Sequence, residues 1–281
     1  MIGKLVVGIA CSLCALVACA AGRDVRDGRP RLVSLHDVTT ELVVALGAAD
    51  ELVGVAEPVD VTPEVARAIA QVPRVASLES IIVTRPDAVL GTAVVAERDP
   101  ELVARLRERG VAVIAPALAR VDDLYALADA IASRAGRPAG ALVARLRARL
   151  DDRVDAARPL RVFVYDCCEP PFTAGRRTVL ADLIARAGGR DVFADLDDAW
   201  AHVSWEEVIA RRPELIVVDA YRYDGQGDVD DKLRALRAIP SLAKVPTVVM
   251  PLGEALGGLR SVDGLERLRA AIRGVPSGAR S

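Results

Sequence analysis

The chain has 281 residues, 52% of them apolar and only 3% aromatic, with a formal net charge of −2. That length exceeds the roughly 100–150 residues typical of one domain, so two lobes of ordinary size are expected, each with its own core. Acids and arginines are interleaved throughout, so no basic stripe points to nucleic acid and no acidic tail to a disordered binding arm.

Residues 1–18 stand apart from the rest. A short head with Lys4 leads into "LVVGIACSLCALVA", an apolar stretch too short for a comfortable membrane span and ending in small residues, which reads as an export signal. Its end, "LVAC", resembles the bacterial lipoprotein lipobox, in which the cysteine becomes the lipidated first residue; here that is Cys19. An ordinary secretory signal and an uncleaved anchor are the alternatives. Residues 19–30, polar and glycine-containing, form a tether. Cys11 and Cys14 fall in the leader, so only the adjacent Cys167 and Cys168 remain in the body, and there is no disulfide framework.

From residue 31 strand and helix alternate. "RLVSL" is a short apolar strand, "VTTELVVALGA" a helix, and "ELVGVA" a second strand. "SLESIIVTRPDAVL" follows as a helix stopped at Arg85-Pro86 and a strand. "DPELVARLRERG" is an amphipathic helix closed by Gly110, and "VAVIAPA" another strand. The rhythm then changes: two helical segments split at "GRPAG" fill the chain to about Ala157 with no strand between them. After Pro159 the alternation restarts with "LRVFVY", a polar loop, "TVLADLIARAGG", "DVFADL", "SWEEVIARRPELIV", "DVDDKLRALRAI", "VPTVVM" and "GLERLRAAIRG". "SWEEVIARRPELIV" at residue 204 aligns without a gap on "SLESIIVTRPDAVL" at residue 77. The expected fold is therefore α/β with two lobes, 31–136 and 159–281, each a mostly parallel sheet flanked by helices. One long bridging helix over 137–158 joins them, with a ligand cleft between.

These segments resemble the helix-bridged substrate-binding proteins of bacterial ABC importers for cobalamin, ferric siderophores and haem. The resemblance covers nearly all of residues 31–275 and is closest to the cobalamin-binding branch. "RLVSLHDVTTELVVALGAADELVGV", "PPFTAGRRTVLADLIARAGGRDVFADL" and "WAHVSWEEVIARRPELIVV" carry it together with the repeat. It implies an exported, lipid-anchored carrier without catalysis or a resident cofactor, at home in a periplasm or on an outer cell-membrane surface. Its small-molecule ligand would be a chelate containing cobalt or iron, and its partners a permease dimer with its ATPase. It also implies that Glu79 and Glu206, one in each repeat copy, meet arginines of the permease. Read from the residues alone, both acids complement helix N-termini, and Glu207 closes a capping box on Ser204.

Ligand contacts are expected on loops that follow the strands: His36 and Asp37; Tyr165, Asp166, Cys167, Cys168 and Phe172; Trp200 and His202; then Tyr221, Tyr223 and Arg260. Trp200 and Phe172 carry over from the cobalamin-binding relatives. This chain departs from them in His36 and in its Cys-Cys pair. Imidazole and thiolate are metal ligands, which makes His36, Cys167, Cys168 and His202 candidates for touching the metal of a bound chelate or a free transition metal ion. A hydrogen-bonding role for each histidine and a ring disulfide or simple packing for the cysteines stand beside that reading. A thiol or metal enzyme is the remaining alternative, although the spacing is not Cys-x-x-Cys and no His-Glu-x-x-His helix is present.

Overall fold

The computed structural model describes residues 28–220 and 228–276. Cys19, Tyr221 and Tyr223 lie outside the described residues, as does the leader.

The N-terminal lobe runs β1 (Leu32–Ser34), α1 (Asp37–Ala45), β2 (Leu52–Val55), α2 (Pro63–Ala68), α3 (Leu78–Val83), β3 (Ala88–Leu90), α4 (Ala93–Arg98), α5 (Pro100–Glu108) and β4 (Ala112–Ile114). Its sheet is parallel throughout in the order β2-β1-β3-β4. Two helices then intervene, α6 (Val121–Ala135) and α7 (Gly140–Leu150). The C-terminal lobe contains β5 (Leu160–Tyr165), β6 (Phe172–Ala174), α8 (Val179–Arg186), β7 (Gly189–Asp191), β8 (Trp200–His202) and α9 (Trp205–Ala210). It closes with β9 (Leu215–Asp219), α10 (Val229–Ala238), β10 (Thr247–Met250), α11 (Leu252–Ala255) and α12 (Ser261–Gly274).

Its main sheet, β7-β5-β9-β10, is also parallel and has the same order as the first: second, first, third, fourth strand. All five residues of β9 and all three of β3 are buried, as expected of strands covered by helices on both faces. The two lobes thus repeat one topology, and the sequence repeat is the helix that enters the third strand of each.

Both repeat helices are built alike. Ser77 and Ser204 cap α3 and α9 with their hydroxyls, accepting from Ser80 N and Glu207 N. Beyond each helix, Arg85 (φ 48°) and Arg212 (φ 50°) adopt the left-handed conformation, and a proline follows. Proline disfavours right-handed helix at the preceding residue, so each arginine turns the chain sharply into its strand. Arg31 Nη2 then donates to Thr84 O (2.7 Å) and its Nε to Arg85 O (3.1 Å); in the other lobe Arg161 Nε donates to Arg212 O (2.7 Å).

The bridge is shorter than the helix expected over 137–158. Helix α6 stops at Gly136, which takes the left-handed cap (φ 66°), and α7 ends at Leu150, with no helix from Asp151 to Pro159. Arg186, fully buried on α8, explains the stop: its Nη1 donates to Leu150 O (2.7 Å), and Asp151 is drawn to Tyr125 Oη (2.8 Å) and Arg186 (3.5 Å). Two aspartates at a helix C-terminus also oppose its dipole. Helix α7 is pinned to α12 by Arg149 with Glu266, while Arg269 Nη2 donates to Asp152 O (2.7 Å). Arg137 reaches back to Glu51 in the first lobe at 2.6 Å. One apolar cluster consequently runs from Leu32 through Leu124, Leu142 and Leu183 to Leu268 without interruption at the bridge.

Candidate functional site: the loops between the lobes

The C-terminal ends of the two parallel sheets carry the loops expected to meet a ligand, as is usual for open α/β sheets. They approach each other directly. A β-carbon on Gly258, after α11, would lie 3.1 Å from a Val38 methyl on α1, and Gly253 N donates to Asp60 Oδ2 at 2.8 Å.

His36 is the N-cap of α1. Its Nδ1 accepts from Val38 N (3.3 Å), and its carbonyl accepts from Thr39 N and Thr40 N. Burial lowers the imidazole pKa, against the opposing pull of Asp37 and with Arg98 acting the same way as burial. The ring is therefore neutral. With Nδ1 accepting, its proton sits on Nε2, so His36 presents an N–H donor rather than a lone pair for a metal. Asp37 faces its own lobe: its Oδ2 accepts from Val59 N (3.1 Å) and Asp60 N (2.7 Å).

In the C-terminal lobe, the chain after β5 folds into a two-stranded antiparallel ribbon, β6-β8, that pairs Phe172 with His202 and Ala174 with Trp200. Phe172 and Trp200 stack with centroids 5.9 Å apart at 20°, and Phe172 also meets the His202 ring at 4.7 Å. Both aromatic side chains are half-buried and His202 is exposed. His202 Nδ1 lies 3.1 Å from Pro170 O. A carbonyl only accepts, so Nδ1 carries a proton, and in the neutral tautomer this selects, the lone pair is on Nε2. The two histidines thus offer opposite chemistry.

Several expected contacts are committed elsewhere. Tyr165 is buried in the C-terminal core against Phe163 and Trp205, with its hydroxyl donating to Cys168 O (3.3 Å); burial raises its pKa, with Glu169 adding to the rise. Asp166 is buried, and burial raises its carboxyl pKa against Lys232 and an Asp219 hydrogen bond, which lower it. Lys232, more deeply buried, donates to Asp219 O (2.6 Å) and so ties α10 to the end of β9. Cys167 and Cys168 are joined to each other, S–S 2.07 Å, so neither offers a thiolate. The ring-disulfide alternative replaces the metal-ligand reading of the pair. Among the described residues no three histidine, cysteine or acidic side chains gather as a metal site, so His36, His202 and the cysteines do not form one constellation. Arg260 points into the N-terminal lobe, where it meets Asp60 and Glu41.

The loop after β2 reaches the same end of its sheet. Val59 is 68% exposed on that loop, which Asp37 holds from beneath. The loop's sequence, the Pro-bracketed "EPVDVTPE", follows a strand as the other loops at this end do.

At the outer ends, Glu79 and Glu206 both take the second position of their helices and are exposed. The Glu79 carboxylate is held below the ordinary range by its own backbone N–H and by the Ser77 hydroxyl. In the second copy the capping box is closed by Glu207, whose Oε2 accepts from Ser204 N at 2.8 Å. Glu206 takes no part in that cap.

The family model described as "Periplasmic binding protein" matches residues 32–249. A vitamin B12-binding protein of Yersinia pestis (strain Pestoides F) is 30% identical over 195 residues, 67% of this chain and 69% of that protein. Among solved structures, a periplasmic binding protein from Veillonella parvula superposes with a TM-score of 0.76 at 24% identity, covering 89% of this chain and 93% of its own. A periplasmic haem-binding protein from Pseudomonas aeruginosa superposes at 0.68 with 26% identity, covering 89% and 94%.

Proposed function

This chain belongs to the periplasmic binding protein family, and on that footing we propose that it captures a metal chelate outside the cytoplasm and delivers it to the permease of an ABC importer. It binds and does not transform its ligand. The thiol-enzyme alternative is set aside, because the relatives are binding proteins and the two cysteines are bonded to each other.

The cargo class is corrinoid, haem or ferric siderophore, and the observation that carries it is the Phe172–Trp200–His202 ribbon. Two aromatic faces, half-buried on a short antiparallel ribbon, suit a flat macrocycle or an aromatic chelator. Beside them His202 has its Nδ1 fixed on a carbonyl and its Nε2 free, the arrangement that metal-binding histidines usually show. His202 is thus the candidate to meet a cobalt or iron centre, and His36 the candidate to donate to a ligand acceptor. The B12-binding relative and the haem-binding neighbour support this class, each from its own cargo.

Delivery is assigned to Glu79 and Glu206. Two like-placed carboxylates on two lobes of one topology suit a permease built from two like halves, with charge setting the docking orientation. Cys19, lipidated at the lipobox, would hold the carrier at the membrane through the 19–30 tether. Titrating the purified chain with cyanocobalamin, haemin and a ferric hydroxamate, and following absorbance and heat, tests the cargo. A tight one-to-one complex with one of them is expected; no binding to any would overturn the reading.

A further inference from the structure

Arg260 leaves the C-terminal lobe and is received by the N-terminal one. Its Nη1 lies 3.1 Å from Asp60 Oδ1, its Nη2 donates to the Asp60 carbonyl, and its Nε stands 3.0 Å from Glu41 Oε1. The last contact is at ion-pair distance but off-line for a hydrogen bond, and both atoms are buried with no hydrogen-bond partner. Gly253 completes the joint: its N–H donates to Asp60 Oδ2 at 2.8 Å, and the guanidinium covers its α-carbon so closely that a β-carbon would fall 1.6 Å from Nη2.

The charges make the joint conditional on one residue. Three carboxylates of the N-terminal lobe, Asp37, Glu41 and Asp60, interact in this region, and Arg260 is the cation set among them. Asp37 and Arg260 grip the loop after β2 from its two sides, the first through the Val59 and Asp60 amides and the second through Asp60 itself. In the closed joint Glu41, only 3% exposed, has the Arg260 guanidinium as the counter-charge to itself, Asp37 and Asp60.

We propose that Arg260 is a positioning residue for ligand binding: it clamps α1 and the loop bearing Val59 to the C-terminal lobe, and thereby fixes the width of the cleft at this end. The bridge alone does not set the lobe separation. The proposal takes the ligand cleft from the carrier reading, but the clamp itself is defined without any ligand.

Glu41 gives the clamp a pH response. Burial pushes its carboxyl up to about 7, against the pull of Arg260 and with Asp37 and Asp60 acting in the same direction as burial. Released into solvent, it would return to the ordinary carboxylate range. The clamped state is then fully favoured below that range and loses ground as pH rises through about 7.

Hydrogen exchange read by mass spectrometry on the full chain without ligand tests this, following peptides that contain Val59, Asp60 and Gly253. Arg260→Ala and Gly253→Ala should both raise exchange there by about tenfold or more, with β3 and β9 unchanged, because each opens the same local joint. Gly253→Ala matters because it keeps the arginine and only evicts it, so it carries the test even if Arg260→Ala unfolds. Arg260→Lys should fall between, and Glu41→Gln should keep slow exchange and remove its pH dependence after correction for intrinsic rates. Unchanged exchange in Gly253→Ala and Arg260→Lys would overturn the clamp. A wild-type chain that binds none of the chelates would sink the carrier reading and leave this result standing.

Discussion

Arg31 and Arg161 stand at matching places in the two sheets, each laying its guanidinium on the end of a repeat helix, at Arg85 O (3.1 Å) and Arg212 O (2.7 Å). The match extends to the acid after each proline: Asp87 Oδ2 accepts from Arg31 N (2.9 Å) and Glu214 Oε2 from Arg161 N (3.0 Å). The repeated "RP" followed by an acid is therefore a folding device that fixes how a helix enters the third strand. It leaves the exposed second position of each helix free for another task.

The left-handed residue in this device is an arginine where glycine would be easier. An L-residue in that conformation is disfavoured by roughly 1–2 kcal/mol, partly offset in glycine by its looser unfolded chain. Arg212→Gly should raise stability by about 0.5–1 kcal/mol in urea titration, since the carbonyl that Arg161 binds is kept. A loss of stability would show that the Arg212 side chain contributes more than its backbone.

Adjacent glutamates in the second repeat should separate docking from capping. Glu207→Ala removes the acceptor for Ser204 N and should lower the urea midpoint slightly, with transport in proteoliposomes unaffected. Glu79→Ala with Glu206→Ala should leave ligand affinity unchanged and cut transport at least about tenfold, as expected when a charge pair that orients docking is lost. Reduced ligand affinity in the double variant would remove these residues from docking.

The aromatic ribbon should matter for cargo and little for folding. Trp200→Ala and Phe172→Ala each remove one half of the stacked pair, and each should weaken chelate binding by about 1–3 kcal/mol in calorimetry. His202→Ala should in addition change the visible spectrum of a bound corrinoid or haem, whereas His36→Ala should lower affinity with that spectrum intact. Identical spectra for all four variants would take His202 away from the metal.

The stability contributed by two buried acids should fall as the solution is made less acidic. Burial raises the carboxyls of Glu41 and Asp191 to about 7 each, with Arg260 and the Phe193 amide respectively opposing the rise. Groups raised in the folded state give stability that is complete below the ordinary carboxylate range, near pH 4, and lost as pH climbs through about 7. Asp191→Asn, which keeps an acceptor for Phe193 N, should flatten that decline in denaturation curves between pH 4 and 8.

Much of this was legible because it is periodic. Seven of the eight strands of the two parallel sheets fall on expected apolar runs, and the gapless repeat gave the duplication; β7 instead occupies Gly189–Asp191, and the expected run "DVFADL" turns after Asp191. The β6-β8 ribbon was hidden: Phe172–Ala174 and Trp200–His202 are three residues each, separated by a helix and a strand, and they pair only in three dimensions. The helix end at Leu150 was equally hidden, since it depends on Arg186 arriving from another helix. Arg260 was read as a ligand contact because it follows a strand. Its partners Glu41 and Asp60 lie at the far end of the chain, and no local pattern in sequence announces a salt bridge between lobes.

Native mass spectrometry of the purified chain, incubated with cobalamin, haemin and a ferric hydroxamate together, tests the carrier reading most directly, because the retained mass names the cargo. One chelate held one-to-one, and lost in Trp200→Ala, is the predicted result. A chain that retains none of the three, or that holds a bare metal ion in their place, would contradict it.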